Sequence, residues 1–228
     1  MKNMLDFGFK GKVYPINPRL NSIMGLPVYA SVKNIEGQVD LAIISTPPKT
    51  VPSILKQCGD KKIKAVIINT EGFAEAGEEG EKLQQEVANI LKSTGIRALG
   101  PNTIGVVCPA QRLSTSMLDL RQVKEGNVGF VTQSGLFAGG MLEHIAYSEY
   151  FGLSNAISLG NKVDIDESDA LEFLANDDKT EIISLYIEGV KNGKRFIQAA
   201  KMASARKPVV LVKGGRTPRG AQAALSHT

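Results

Sequence analysis

The sequence predicts a doubly wound α/β fold, and three observations carry that prediction. Short runs rich in Val, Ile and Leu alternate along the chain with longer stretches whose apolar residues recur at helical spacing. Small, amide-bearing and turn-forming residues follow the short runs directly, as they do where strands feed into crossover loops. With 228 residues, 43% of them apolar, the chain can bury the core of one large domain or two small ones, and two are expected.

In order, the first residues, 2–9, read as the tail of a helix closed by Gly8, with no strand ahead of them. Strands are then expected at 13–17, 41–45, 64–69 and 96–99, with helices at 51–58 and 80–94 between them. The stretch 108–127 breaks the rhythm with Pro109, several Ser and Thr, and the polar turn Lys124-Glu125-Gly126-Asn127. The domain boundary belongs there, giving expected domains of 1–120 and 125–228. The second half repeats the strand, turn and helix unit, with strands at 128–131, 156–159, 182–187 and 209–212 and helices at 136–150, 168–176 and 193–206. Ser226-His227-Thr228 follow a glycine-rich loop at a point where a helix would normally come next, so the chain is expected to be a piece of a longer protein at both ends.

Composition narrows the class of partner. The net charge of +4 comes from 27 basic and 23 acidic residues scattered along the chain, whereas a nucleic-acid partner calls for a clustered basic face. No apolar run is long enough to span a bilayer, and the N-terminus lacks the order of a signal peptide, so a cytoplasmic protein with no membrane partner is expected. Cys58 and Cys108 match no metal or redox spacing; they are expected to be free thiols, with no metal site.

In open parallel sheets, ligands collect beyond the carboxyl ends of the strands. The residues expected there are Asn17 and Pro18, then Ser45, Thr46 and Pro47, then Asn69 and Glu71, then Asn102. They could hydrogen-bond a nucleotide or simply make turns, and local sequence leaves both open. Val131-Thr132-Gln133-Ser134-Gly135 ends one strand and opens a helix, so Ser134 and Gly135 offer either an anion site or an ordinary helix cap. Glu188, at the end of the apolar run 182–187, could fix an imidazole ring or be an exposed strand-end acid. His227, beyond the loop 213–220, reads locally as a solvated tail residue.

Several segments stand out when taken in order: Gly8-Phe9-Lys10-Gly11-Lys12-Val13-Tyr14-Pro15-Ile16-Asn17-Pro18, Asn69-Thr70-Glu71-Gly72-Phe73, Gly100-Pro101-Asn102 and Val131-Thr132-Gln133-Ser134-Gly135, followed by the run from Ser158 to Asp169 and by Ser226-His227-Thr228. Together they closely resemble the ADP-forming acetyl-CoA synthetases, the NDP-forming acyl-CoA synthetase family related to the alpha subunit of succinyl-CoA synthetase. The likeness spans essentially the whole chain. It implies a CoA-binding Rossmann-like domain, lacking its first strand and glycine-rich turn, followed by a flavodoxin-like ligase domain.

The implied reaction interconverts acyl-CoA, ADP and phosphate with carboxylate, ATP and CoA. By the resemblance, His227 is the phosphorylated histidine, Glu188 the carboxylate that supports it, and Ser134-Gly135 the helix end that cradles phosphate. Coenzyme A would meet Asn17, Pro18, Ser45, Thr46, Pro47, Asn69, Glu71 and Asn102. The phosphohistidine would swing on its glycine-rich loop to ADP, held with Mg at an ATP-grasp module on a β subunit or fused domain, in an oligomeric enzyme.

Two other functions compete. A non-catalytic CoA-binding or regulatory module of a protein acyltransferase would need neither His227 nor Glu188. A nicotinamide-dependent oxidoreductase would carry a GxGxxG turn after its first strand, which this sequence lacks.

Overall fold

The computed structural model describes residues 1–148, 150–217 and 220. The chain opens with helix α1 (Lys2–Phe7), closed by Gly8 in the left-handed conformation that glycine adopts without strain. Strands β1 (Ser22–Ile23) and β2 (Leu26–Pro27) form a small antiparallel hairpin. Its two turn residues, Met24 and Gly25, both have positive φ, the requirement of the tight turn that matches strand twist.

A three-stranded parallel sheet follows: β3 (Leu41–Ile44), β4 (Ala65–Ile68) and β5 (Arg97–Leu99), in that spatial order. Helices α2 (Val51–Asp60) and α3 (Glu78–Thr94) make the crossovers. Alternation along the strands decides what each face meets. Val66 and Ile68 point into a core with Leu55 and Cys58 of α2 and Val87 and Leu91 of α3. Ile67 and Leu99 point the other way, into a core shared with the second half of the chain. The sheet is therefore buried on both faces, as parallel sheets usually are.

The second unit is built from β6 (Val106–Cys108), β7 (Leu113–Ser114), β8 (Glu125–Thr132), α4 (Gly135–Ser148) and β9 (Leu153–Ser158), then α5 (Glu167–Asn176), β10 (Ile182–Ile187), α6 (Gly193–Ser204) and β11 (Val209–Lys213). Its six strands run in the order β11-β10-β8-β9-β6-β7. The first four are parallel, while β6 is antiparallel to both β9 and β7. Phe130 and Ala156 face α4 through Leu142, Ile145 and Ala146. Val131, Ile183 and Leu185 face α5 and α6 through Leu171, Leu174, Ala199 and Ala203. This is a sheet with helices on both sides.

Three details differ from expectation. No strand forms at 13–17; Ile16 alone bridges Tyr29, because the neighbouring Pro15 and Pro18 have no N–H to extend a ladder. The stretch 108–127 is more than a break, since β6 and β7 hydrogen-bond into the second sheet. That sheet is mixed rather than all parallel, because β6 runs back along β9 after only a short connection from the first unit.

The two units are tied along one seam. Ile165 N donates to Ala98 O at 3.1 Å, Val163 N to Gly100 O at 2.9 Å, and Asn161 N to Pro101 O at 2.9 Å. Asp164 accepts from Ala98 N at 2.8 Å and from Arg97 Nε at 2.9 Å. The connection between β9 and α5 thus lies against the loop that follows β5.

Candidate active site

Parallel strands put the loops after β3, β4 and β5 at one end of the first sheet. Thr70 ties them together: its hydroxyl donates to Thr46 O at 2.8 Å and accepts from Thr46 N at 3.2 Å, while its carbonyl accepts from Asn102 N at 2.9 Å. Asn69 Nδ2 donates to Thr115 O at 3.4 Å, but its Oδ1 is buried without a hydrogen-bond partner. An orphaned amide oxygen is costly in a core and sensible in a site that a polar ligand completes. Ser45, Pro47 and Glu71 are exposed at the same end. Asn17 and Pro18 are exposed outside the ladder, where Asn17 Oδ1 accepts from Arg19 N at 2.9 Å in a local turn. The structure therefore groups Thr46, Asn69 and Asn102 around Thr70 and leaves Asn17 in a separate loop.

Glu75 closes the loop after β4. It accepts from Gly72 N, from Phe73 N at 3.1 Å and from Asn161 Nδ2 of the second unit. Burial alone would push this carboxyl up, but those hydrogen bonds hold it below the usual carboxylate range.

At the carboxyl end of the second sheet, Ser134 is the hinge between β8 and α4. Its Oγ accepts from Phe137 N at 3.3 Å, so it does cap the helix, and Thr132 Oγ1 donates to its carbonyl at 3.0 Å. The cap engages Phe137 N and leaves the N–H groups of Gly135 and Leu136 to meet an anion, so the two expected uses of Ser134 are compatible.

Gln133, one residue earlier, is the junction of the site. Its Oε1 accepts from Glu188 N and Gly189 N, both at 3.0 Å, and from Lys162 Nζ at 3.2 Å. Lys162 and Glu167, 2.9 Å apart, form an ion pair with side chains 6% and 0% exposed, and Glu167 also accepts from Lys191 N at 2.9 Å. The loop after β8 and the loop after β10 are thus locked together, which brings Ser134 and Glu188 to one edge.

The Glu188 carboxylate is half satisfied. Oε1 accepts from the Tyr186 hydroxyl at 3.2 Å, whereas Oε2 is buried with no partner. Burial, followed by the negative charge of Glu188, pushes the Tyr186 hydroxyl up, so it remains a donor at neutral pH. Phe137 of α4 stacks on the Tyr186 ring with centroids 4.1 Å apart, which fixes the donor. Gly214, just past β11, lies against both: a Cβ there would come within 2.8 Å of the Tyr186 hydroxyl and 3.4 Å of Glu188 Cγ. Gly214 therefore lies directly over this carboxylate. His227 lies outside the described residues.

The sequence pointed to Ser134 and Glu188 but not to the framework under them. Gln133, Lys162 and Glu167 stand in the segments that carry the family resemblance, yet no periodicity distinguishes a buried Lys from a surface one. The signal that could have found Lys162 is a cation set in a loop between a strand end and the Asp166–Asp169 capping box.

Residues 1–109 match the family described as CoA binding domain, and residues 125–228 match the succinyl-CoA ligase like flavodoxin domain. The chain is 41% identical over 227 residues to the acetate–CoA ligase [ADP-forming] II of Archaeoglobus fulgidus, covering 99% of this chain and 33% of that protein. It is 42% identical over 232 residues to the acetate–CoA ligase [ADP-forming] I subunit alpha of Pyrococcus furiosus, covering all of this chain and 50% of that one. The chain thus spans between a third and a half of the length of these relatives. Among solved structures, the dinucleotide-forming acetyl-coenzyme A synthetase 1 of Ca. Korarchaeum cryptofilum, in complex with phosphate and ADP, superposes with a TM-score of 0.92 at 39% identity. That match covers 99% of this chain and 48% of the other. With both domain types present in family order, and with this likeness running from end to end, the chain belongs to the NDP-forming acyl-CoA synthetase family.

Proposed function

We propose that this chain forms the CoA-binding and phosphate-relay part of an acid–thiol ligase that interconverts acyl-CoA, ADP and phosphate with carboxylate, ATP and CoA. The observation that carries the proposal is Glu188: a half-buried carboxylate with one oxygen held by Tyr186 and the other, itself buried, without a partner, beside Gly214. Residues 1–120 serve as the CoA-binding domain and 125–228 as the ligase domain, with β6 and β7 stitching the two together.

In this reading a phosphate oxygen attacks the thioester carbonyl, the C–S bond breaks, and CoA leaves as its thiol. A neutral imidazole nitrogen of His227 then attacks phosphorus, the bond to the acyl oxygen breaks, and free carboxylate departs. ADP finally takes the phosphoryl group from nitrogen. Main-chain donors at the start of α4, next to Ser134 and Gly135, hold the phosphate in place, since positioning and electrostatics dominate phosphoryl transfer. The free oxygen of Glu188 accepts the second ring N–H of His227, fixing the tautomer that leaves the attacking nitrogen unprotonated.

The ends of β3, β4 and β5 receive CoA, with the orphaned Asn69 Oδ1 as one acceptor and Thr46 and Asn102 beside it. Asn17, Pro18, Ser45, Pro47 and Glu71 line the outer approach. ADP, with Mg, belongs to an ATP-grasp module on a partner subunit or fused domain, and the working enzyme is an oligomer of such parts. Among the described residues, no group of His, Cys, Asp and Glu could hold a metal ion, and no helix is long and apolar enough to cross a membrane. A cytoplasmic setting suits the two free cysteines.

The test is ATP formation by the complete enzyme, partner module included, from thioester, ADP and phosphate. Turnover that His227→Ala abolishes while CoA binding persists supports the reading. CoA binding by the wild-type enzyme with no phosphoryl transfer at all would instead support the non-catalytic module.

A further inference from the structure

The connection between β9 and α5 carries two backbone and burial anomalies at one place. Lys162 is 5% exposed, and its φ of 57° lies in the left-handed region that residues with a Cβ adopt only under strain. Gly160, two residues earlier, has a φ of 61°, and a Cβ there would lie 2.2 Å from Pro101 O, so no other residue fits against the first unit. A buried ion pair such as Lys162–Glu167 is also a poor source of stability compared with apolar packing. Strain and buried charge at one loop point to a role other than holding the fold.

We propose that Asn161 and Lys162 are positioning residues that keep the two halves of the reaction site in register. Asn161 reaches the CoA side, where its Nδ2 donates to Glu75 and, at 2.9 Å, to Gln84 Oε1. Glu75 in turn holds the main chain of Gly72 and Phe73, directly after Glu71. Lys162 reaches the phosphate side, where its Nζ donates to Gly189 O at 2.9 Å and to the Gln133 oxygen that also holds Glu188 N and Gly189 N. Two adjacent residues therefore tie the loop facing the thioester to the turn presenting the carboxylate. The inference rests on the phosphohistidine reading and deepens it.

The half-reactions separate the two roles. In the complete enzyme, labelling of the histidine by γ-labelled ATP needs nothing at the CoA site, whereas labelling from thioester and labelled phosphate needs acyl-CoA bound there. Replacing the ion pair together, Lys162→Met with Glu167→Gln, avoids stranding a buried carboxylate. This variant should slow labelling from ATP by about 10- to 100-fold, the scale of a slightly misplaced catalytic group, and leave the thioester KM within about twofold. Asn161→Ala should do the reverse: labelling from ATP within about twofold of wild type, and labelling from thioester slowed by about tenfold through a raised KM. Unchanged kinetics of the thioester half-reaction in Asn161→Ala would overturn the proposal, even if the double variant failed to fold. So would a folded double variant labelled by ATP at the wild-type rate. A wild-type enzyme that takes no label from either donor would instead refute the phosphohistidine reading itself.

Discussion

In the proposed relay, Glu188 and Ser134 act through different atoms, and their substitutions should fail differently. Glu188 would act through its free Oε2, so Glu188→Gln should keep the fold and the site but slow histidine phosphorylation by about 10²-fold, as loss of a positioning or acid–base partner does. Rapid-quench labelling with ATP measures that rate, and a rate near wild type would remove Glu188 from the mechanism. Ser134 uses its side chain for the helix, so in the proposed site it would offer only main chain to phosphate. Ser134→Ala should therefore cost about 1 kcal/mol of stability through loss of the cap while changing turnover little. Thermal melts set beside steady-state rates check both halves of that statement. Which of these residues could be read from sequence follows from the physics. Strand ends and helix starts mark themselves by turn chemistry, so Ser134 and Glu188 were visible as candidates. Burial of Lys162, Glu167 and Gln133 depends on where distant loops meet, and local sequence does not carry that information.

Among the elements, α5 shows most clearly how a helix start is wired into the seam between units. Asp166 caps it and Asp169 returns the capping box, while Arg195 of α6 and Arg97 of β5 both reach Asp169, at 2.9 and 3.2 Å. Burial would raise the Asp169 carboxyl, but the Arg195 and main-chain hydrogen bonds outweigh it and hold its pKa at about 2. A carboxylate depressed in the folded state stabilises the protein at every pH above its unfolded pKa, near 3.8, and loses that contribution as pH falls toward about 2. Asp169→Asn should thus lower stability by about 1 to 2 kcal/mol at neutral pH, and the gap from wild type should narrow between about pH 4 and pH 2. Denaturant titrations at several pH values measure it; a gap independent of pH would show that the cap, not the charge, carries the effect. Long elements such as α3 and the apolar run of β10 were legible from periodicity. The two- and three-residue strands β6 and β7 were not, since so short a segment has no period and exists only because β9 offers an edge to pair with. The expected strand at 13–17 failed for a different reason: Pro15 and Pro18 supply no N–H to extend a ladder, so pairing stops at the single bridge from Ile16 to Tyr29.

For the whole molecule, alternation of strand and helix was enough to predict two α/β units, because each crossover helix must cover a sheet face. How the units join was not predictable from that pattern: Ile67 and Leu99 of the first sheet share a core with α5 and α6, and the Asn161–Lys162 connection links the two strand-end edges. That arrangement places the loops proposed to meet CoA and the turn bearing Glu188 on either side of one short segment, as the proposed relay from thioester to histidine requires. Phosphopeptide mapping of the complete enzyme after brief exposure to γ-labelled ATP tests this most directly. One acid-labile, base-stable label is expected, on the peptide containing His227, absent from His227→Ala. A label on His144 or on an acidic residue, with His227→Ala still turning over, would contradict it.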